Sequence, residues 1–393
     1  MNAAILNTTV QNFIEKNLDA DLVNLALKKP SFPGVQTEEL LSQIEAKKRC
    51  KDKLPTWFHT TAIYYPTKLN IEQTSSEITA EYKSGLISGG SLIDITGGFG
   101  VDSFYFAKKV KAVTHCEIDE PLSKLVSHNF EQLKVSNITF VPQDGIDYLK
   151  KSGQHFDWIF IDPSRRHDSK GRVFFLRDCL PDVPEHLKTL FEHSNHILIK
   201  TAPLLDLSAG LKELESVKQI HVVSVNNEVK ELLWVLEKNY QYGLEVITVN
   251  LKKDDTELFS FLLKEEKYAS ANYNAPQKYL YEPNASILKA GAFQLISEKY
   301  KVSKLDKHTH LYTSEKLIEF PGRRFEIENI IPYSKKDLKK AGIKKANITT
   351  RNFPESVKQL RQKFKISDGG DIYLFFTTDY EGKKMIIVCR KTN

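Results

Sequence analysis

A glycine-rich turn and two carboxylates in the first half of the chain suggest a site for a nucleotide-like ligand. The segment SLIDITGGFG places Asp94 at the end of a short apolar run, and Gly97, Gly98 and Gly100 follow. Glycine lets a backbone turn sharply and approach a ligand closely, because it has no Cβ. Glu117 ends the next apolar run, about 20 positions later, where nucleotide-binding βαβ units place the acid that binds ribose hydroxyls. The alternative is an ordinary turn between a strand and a helix, in which Asp94 could fix the turn or hold a cationic group.

Polar residues also follow the later apolar runs. Asp144 and Gly145 come after the third run. A carboxylate there can accept from an exocyclic amine such as that of adenine, or cap the following helix. Lys200 ends the run ILIK and could balance nearby carboxylates or contact a substrate. The glycine turn lacks the full G-x-G-x-x-G spacing, which disfavours a dinucleotide.

The segment FDWIFIDPSRRH is predicted to form the substrate side of the site. Its apolar strand brings Asp162 to the sheet edge, and Pro163 then fixes φ and removes a backbone donor. Three basic residues follow, and they are Arg165, Arg166 and His167. Arginine suits phosphate groups and planar anions, although these side chains could instead pair with nearby acids. A thiolate mechanism is disfavoured, since Cys179 is the only cysteine near this loop and lies on a stretch predicted to be helical.

These residues require a sheet that brings several strand ends together. Apolar runs and helical patterns alternate between about residues 85 and 250, which predicts a mostly parallel sheet covered on both faces. The seven predicted strands are 92–95, 112–116, 138–142, 158–161, 197–200, 221–225 and 244–251. Ligands bind past the carboxyl ends of such strands. The segment 224–234 is predicted to continue from the sixth strand into a helix.

The region before this sheet is predicted to be helical. The predicted helices are 10–16, 21–28, 38–51 and 72–84. A Ser/Thr cluster at the start of the last helix is an N-cap signal. Because that helix leads directly into the glycine strand, Gln73, Ser75 and Ser76 could also line a cofactor pocket.

The C-terminal third is predicted to form two small α+β segments with a strongly basic stretch. Residues 331–365 contain eleven Lys and Arg residues against two acids. Such a stretch suits a phosphate backbone, although it could also be a solvated surface. The predicted substrate contacts are Lys335, Lys336, Lys339, Lys340, Lys344 and Lys345. Aromatic residues are sparse there, so we expect contact with a nucleic-acid backbone rather than base stacking.

Composition is that of an ordinary globular protein, with 41% hydrophobic residues, 27% charged residues and a net charge of +6. No apolar run approaches the roughly 18 residues of a membrane span. The first residues lack the basic start and apolar core of a signal peptide. Four scattered cysteines without a C-x-x-C pair argue against a zinc site or disulfides. We therefore expect a cytoplasmic protein with no metal and no membrane partner.

The order of the motifs resembles one bacterial family. The motifs are EQTSSEITAEYK, DITGGFGVD, CEIDE, QDGIDYL, DPSRRH, IKTAPLLD, NNEVKELL and YLYEPNASILKAG, followed by the basic C-terminal stretch. They look like those of class I S-adenosylmethionine (SAM)-dependent methyltransferases with a small ferredoxin-like segment and a THUMP-like C-terminal domain. The resemblance covers the chain from about residue 50 to its end. It implies an α/β fold with a Rossmann-like, seven-stranded sheet, SAM as cofactor, and RNA as substrate, with tRNA as one candidate.

Applied to this sequence, the resemblance implies a SAM site beside an acceptor site. The implied cofactor-binding residues are Gln73, Ser76, Asp94, Thr96, Gly97, Gly98, Gly100, Glu117, Asp144 and Gly145. The implied catalytic residues are Asp162, Pro163, Arg165 and Lys200, and the substrate contacts are Arg165, Arg166, His167 and the six lysines given above. Asp162 would orient the acceptor and take up its proton. The DPSRR loop lacks the second proline and the stacking aromatic of N6-adenine enzymes, so no target atom is assigned.

The predicted domains are an N-terminal helical region (1–84), a methyltransferase domain (85–275), a ferredoxin-like segment (276–325) and a THUMP-like domain (326–393). The predicted function is SAM-dependent methylation of an RNA base. Two alternatives stay open at this point. The first is a methyltransferase that acts on a protein or a small molecule, and the second is an RNA-binding adaptor that keeps the fold without catalysis.

Overall fold

Residues 1–165 and 175–392 are described by a computed structural model, and Arg165 is described by its backbone alone. Arg166 and His167 therefore lie outside the described residues. The chain divides into two units. The first comprises 1–218 and 233–241, and the second comprises 219–232 and 242–393. No helix in the described part of the chain is long and apolar enough to cross a membrane.

Six short helices form the N-terminal region. They are α1 (Thr8–Lys16), α2 (Leu22–Leu27), α3 (Thr37–Lys53), α4 (Pro55–His59), α5 (Lys68–Gln73) and α6 (Glu77–Ser84). The prediction of one helix over 72–84 is wrong, because α5 ends at Gln73 and Ser76 is the extended N-cap residue of α6. Serine and threonine side chains compete for backbone hydrogen bonds, which favours such a break over a continuous helix.

Strands and helices then alternate through the first unit. The strands are β1 (Ser91–Asp94), β2 (Ala112–Cys116), β3 (Ile138–Val141), β4 (Phe156–Ile161), β5 (Ser164–Arg165), β6 (Cys179–Leu180) and β7 (Ser194–Thr201). The helices are α7 (Val101–Ala107), α8 (Glu120–Gln132), α9 (Gly145–Ser152), α10 (Val183–His193) and α11 (Leu207–Glu213). Strands β7, β4, β1, β2 and β3 lie side by side in that order and pair in parallel, so their carboxyl ends share one edge.

The N-terminal helices pack on α7 and α8 through one apolar core. The ring centroids of Trp57 and Phe104 lie 4.9 Å apart in this core. A buried ion pair adds a polar link, since Lys83 Nζ lies 3.1 Å from Asp102 Oδ1. Ser75 Oγ donates to the same carboxylate at 2.8 Å. The helical region therefore supports α7, the helix that follows the glycine turn.

The next four strands are β8 (Val217–Val225), β9 (Glu228–Glu237), β10 (Glu245–Leu251) and β11 (Thr256–Leu262). The sequence predicted β8 and β10, but not β9 and β11. In the second unit the order is β11, β10, β8, β9, and the last part of β9 borders β7 in the first unit. The helix predicted over 224–234 is wrong, because Asn226 and Asn227, with φ of 49° and 67°, form a turn into β9. Of the eleven strands described between residues 91 and 262, nine thus stand where seven were predicted, and β5 and β6 pair separately.

Asparagine side chains tie this turn to the strands and helix beside it. Asn227 N donates to Asn250 Oδ1 at 2.8 Å, and Asn227 Oδ1 accepts from Ala285 N at 2.8 Å. Asn284 Nδ2 in turn donates to Glu257 Oε2 at 3.0 Å. Asn250 and Asn284 are both buried, so these hydrogen bonds supply partners that their side-chain polar atoms need.

A second sheet occupies the rest of the second unit. Its strands are β12 (Tyr279–Pro283), β13 (Ser303–Lys304), β14 (Tyr312–Ser314), β15 (Gly322–Pro332), β16 (Asn347–Arg351), β17 (Ile372–Thr378) and β18 (Lys384–Lys391). The helices of this region are α12 (Leu263–Tyr268), α13 (Ala285–Ala290), α14 (Leu295–Tyr300), α15 (Lys335–Lys340) and α16 (Val357–Phe364). The strand order is β13, β14, β12, β15, β18, β17, β16. Because β12 pairs with β15, the two predicted C-terminal segments share one sheet.

Candidate active site

The glycine turn after β1 is tight and has one open position. Gly97 N donates to Cys116 O at 2.8 Å, which fixes the turn against β2. Gly98 and Gly100 have φ of 54° and 79°, a region that residues with a Cβ rarely adopt. A Cβ at Gly98 would meet no atom closer than the Thr96 carbonyl oxygen at 3.9 Å. The position that a Cβ on Gly98 would take is therefore open to a ligand.

The buried ring of His115 packs against Gly97 in this turn, and the sequence analysis did not identify this residue. A Cβ on Gly97 would lie 2.2 Å from His115 Nε2, so only glycine fits there. The His115 ring is fully buried, and neither nitrogen has a hydrogen-bond partner among the described residues. Burial lowers the pKa of His115 to about 4, so the imidazole is neutral at pH 7. A lone histidine in an apolar strand gives no sequence signal for this contact.

Glu117 joins the glycine turn directly. Gly98 N donates to Glu117 Oε2 at 2.9 Å, and Asp119 N donates to Oε1 at 2.8 Å. Each carboxylate oxygen has further lone pairs, so Glu117 can still accept hydrogen bonds from a ligand. Ile118, the next residue, has a side chain that is 72% exposed. An apolar surface thus lies beside the acid, and an isoleucine in a loop offered no sequence signal for it.

Asp144 and Gly145 lie near the same edge. Asp144 is the N-cap residue of α9, and its Oδ1 accepts from Asp147 N at 2.9 Å. Its side chain is exposed. A Cβ on Gly145 would lie 2.4 Å from Ile95 Cβ, so Gly145 allows α9 to approach the end of β1 closely. The prediction that Asp144 caps the helix is confirmed. Its other carboxylate oxygen, Oδ2, accepts no hydrogen bond from the described residues.

Asp94 is enclosed by the protein. It is 1% exposed, and its oxygens accept from Ser103 Oγ at 2.6 Å and from Thr96 N at 3.1 Å. Burial raises the pKa of Asp94 to about 7, although the hydrogen bonds from Ser103 and Thr96 oppose the shift. Of its two predicted roles, this geometry directly supports fixing the turn.

Asp162 and Lys200 form an ion pair on the neighbouring strand ends. Lys200 Nζ lies 2.5 Å from Asp162 Oδ2, with both side chains partly buried. Asp162 N donates to Thr96 Oγ1 at 2.7 Å, across a sequence separation of 66 residues. Pro163 is buried, and β5, which contains Arg165, pairs with β6. The prediction of a helix at Cys179 is wrong, because Cys179 lies buried in β6 after a short 3₁₀ turn.

Two predicted cofactor residues, among the residues that the structure describes, form no hydrogen bond or ion pair with the other predicted cofactor residues. Gln73 is exposed at the end of α5, and Ser76 Oγ is 3.1 Å from Thr79 Oγ1 within α6. Ser75, considered with them, is buried against Lys83 and Asp102 instead.

The basic stretch separates into paired and unpaired residues. Arg351, Arg361 and Lys363 form ion pairs with Glu282, Asp368 and Glu355. The remaining eight are exposed and form no ion pair with any described residue. We call them the basic surface, and they are Lys335, Lys336, Lys339, Lys340, Lys344, Lys345, Lys358 and Lys365. All six predicted substrate lysines belong to this set.

A metal centre is not evident in the part of the chain that the structure describes. No three His, Cys, Asp or Glu side chains there lie close enough together to hold an ion.

Comparisons with known proteins identify the family. The crystal structure of a candidate methyltransferase from Porphyromonas gingivalis W83 is 33% identical to this chain, covers 99% of it and 98% of its own length, and superposes with a TM-score of 0.90. Residues 279–321 match the family described as a ferredoxin-like domain, and residues 322–391 match the family described as THUMP domain-like. The chain belongs to this family of class I methyltransferases. SAM is the methyl donor that this assignment implies.

Two further likenesses are more limited. An uncharacterized RNA methyltransferase of Mycoplasma mobile is 36% identical over 76 residues, which are 19% of this chain and 21% of that protein. The chain thus spans about a fifth of the length of that curated relative. A Streptococcus mutans candidate methyltransferase in complex with SAH is 15% identical and covers 41% of this chain and 96% of its own, but its TM-score of 0.31 is too low to carry an argument.

Proposed function

We propose that this methyltransferase transfers a methyl group from SAM to a base of an RNA substrate. The observation that carries the proposal is the hydrogen bond from Gly98 N to Glu117, which brings the open glycine position and the predicted ribose acid into contact at one sheet edge. Asp144 follows β3, which pairs with β2, and Asp162 follows β4, which pairs with β1, so both lie at that same edge. Ligands of open α/β sheets bind there.

The residues at this edge fit SAM in shape and charge. The open face of Gly98 leaves room that a Cβ would partly fill, and Glu117 has lone pairs for two ribose hydroxyls. Asp144 has an oxygen with no described partner that can accept from the adenine amine, and exposed Ile118 offers the apolar contact that a purine ring needs. The bound sulfonium supplies an already reactive methyl group, so the protein mainly orients the reactants.

Asp162 is the proposed acceptor-side residue. Its backbone is held by Thr96 and its carboxylate by Lys200, so its position is restricted from both ends. Bound SAM would supply the methyl group, with its sulfur leaving as the neutral thioether when the acceptor atom takes the methyl carbon. The acceptor then releases its proton, which Asp162 can take up.

RNA is the proposed substrate because of the basic surface and the THUMP-like match. Eight exposed lysines that form no ion pair with a described residue suit a chain of phosphates more than a neutral small molecule. We propose tRNA as the first RNA to test, and the predicted division into a catalytic domain and an RNA-binding C-terminal domain as the working arrangement. A cytoplasmic location belongs to the same proposal, since SAM and RNA are both found there.

Calorimetry with SAM tests the cofactor half. The wild type should bind, and Gly98→Arg should abolish binding because the arginine fills the open position. Gly153→Arg is the matched control, since Gly153 has a similar φ of 60°, has open space around it and lies at the far end of α9. Absence of binding by the wild type, or binding retained by Gly98→Arg, would contradict the proposal.

RNA affinity as a function of salt tests the substrate half. Replacing Lys335, Lys336, Lys339 and Lys340 with glutamine should lower the slope of log Kd against log salt by up to about 3–4, at roughly 0.7–0.9 for each phosphate that is no longer neutralised. Lys363→Gln is the control, because Lys363 is already paired with Glu355.

Methyl-labelled SAM with RNA then separates the alternatives. RNA binding without label transfer would indicate an inactive adaptor, and transfer to protein or small molecules alone would indicate a different substrate class.

A further inference from the structure

The hydroxyl of Thr96 makes one long-range and one local hydrogen bond at once. It accepts from Asp162 N at 2.7 Å, and it lies 3.5 Å from Asp94 Oδ1, to which it donates. A threonine hydroxyl has one donor and two acceptor sites, so both contacts can exist together. Thr96 N donates to the same Asp94 oxygen at 3.1 Å, which fixes the residue's backbone as well.

This connection lies where the ladder between β1 and β4 ends. The parallel pairing runs from Leu92 and Trp158 to Asp94 and Phe160, and Ile95 N still donates to Phe160 O at 3.1 Å. Beyond that point the segments that follow the two strands diverge. The segment after β1 enters the glycine turn, and the segment after β4 continues through Asp162 and Pro163. The Thr96 side chain therefore continues the pairing after the backbone can no longer do so.

Thr96 is thus the direct link between the two halves of the proposed site. On one side it belongs to the turn that carries Gly97 and Gly98. On the other side it holds the amide of Asp162, whose carboxylate is held by Lys200. Pro163 limits the backbone of Asp162 further, because a residue before proline is restricted to extended conformations.

We propose that Thr96 is a positioning residue that sets the distance between the methyl donor and Asp162. This inference rests on the proposed function, and it changes the predicted role of Thr96 from cofactor contact to alignment of the two reactants. Methyl transfer is sensitive to such alignment, and a displacement of about 1 Å can cost a rate factor of about 100. The loss of the hydroxyl should therefore lower the rate of transfer more than the affinity for SAM.

The test compares Thr96→Val with Thr96→Ser. Valine keeps the shape and removes the hydroxyl, whereas serine keeps the hydroxyl and removes the methyl group. With methyl-labelled SAM and total RNA from cells that lack the gene, Thr96→Val should lower the single-turnover rate at saturating SAM by about 10- to 100-fold. The Kd for SAM should change less than about threefold, and Thr96→Ser should restore the rate to within about threefold of wild type. Thr248→Val is the control for loss of a buried threonine hydroxyl, since Thr248 Oγ1 donates to Phe259 O at 2.9 Å in the second unit.

A second readout does not depend on any substrate. Hydrogen exchange of the Asp162 amide, followed by NMR with ¹⁵N-labelled aspartate, should be at least about tenfold faster in Thr96→Val and close to wild type in Thr96→Ser. Unchanged protection in Thr96→Val would overturn the inference, whatever the acceptor is. A loss confined to SAM affinity, or a slow Thr96→Ser, would overturn it too. A wild-type enzyme that binds SAM but methylates no RNA would refute the proposed substrate alone, and the exchange comparison would still decide the role of Thr96.

Discussion

The contact between Gly97 and His115 gives the sharpest stability prediction. Alanine at position 97 would place its Cβ 2.2 Å from His115 Nε2, and 2.4 and 2.5 Å from two ring carbons. These contacts are far shorter than van der Waals contact, and the ring is fully buried in β2, so the turn or the strand must move. Overpacking of this kind costs about 1–3 kcal/mol. For a unit of this size, that corresponds to a fall in Tm of roughly 2–12 °C.

Tryptophan fluorescence is a suitable assay for this change. All three tryptophans, Trp57, Trp158 and Trp234, lie in the first unit, so their emission reports its unfolding rather than that of the second unit. The thermal and urea transitions of Gly97→Ala should both shift to lower values.

A double-mutant cycle identifies the cause. His115→Ala removes the ring, so Gly97→Ala should cost less than about 0.5 kcal/mol in that background, although His115→Ala is itself destabilising through its cavity. If Gly97→Ala costs the same with and without His115, or costs nothing in the wild type, the steric argument is wrong.

Three further predictions follow from buried charges. Because the pKa of Asp94 is raised to about 7, the folded protein holds the proton of this carboxyl group more tightly than the unfolded chain does. The free energy of unfolding should therefore fall by up to about 4 kcal/mol as pH rises from about 4 to 7. Urea unfolding followed by tryptophan fluorescence should show a flatter pH dependence in Asp94→Asn, and an equal pH dependence in both proteins would contradict this. Lys200→Met should lower kcat about 100-fold without changing the Kd for SAM, because Asp162 loses its partner; steady-state kinetics with calorimetry check it, and an unchanged kcat speaks against the pair. Lys83→Met should destabilise the first unit by about 3–5 kcal/mol, because it leaves the Asp102 carboxylate buried without its cation; a denaturation midpoint equal to that of the wild type would refute it.

Local patterns predicted much of the sheet. The seven strands expected from apolar runs are present as β1–β4, β7, β8 and β10. Strand β9 was mistaken for a helix because residues 231–236 are all buried, and a strand buried on both faces has no alternating pattern. The consecutive asparagines before it were the overlooked signal, since both adopt positive φ in the turn.

The positions of the candidate residues at the sheet edge were predictable, but the hydrogen bonds and ion pairs between them were not. Acids after apolar strands predicted where Glu117 and Asp162 lie. The bond from Thr96 to Asp162 spans 66 residues, and the ion pair from Arg351 to Glu282 joins two different strands, so no local pattern shows either. Because Arg351 is paired with Glu282, the count of Lys and Arg in residues 331–365 overstated the number of cations without an ion pair.

The asparagine hydrogen bonds around Asn227 bear on how this protein can be divided. A shortened gene ending at codon 275 would encode β8–β11 but not Ala285 or Asn284, so Asn227 and Glu257 would lack the hydrogen bonds that those residues provide. The part of β10 that α13 covers would be exposed to water along with them. Excision at that point should therefore yield insoluble material rather than a soluble catalytic fragment.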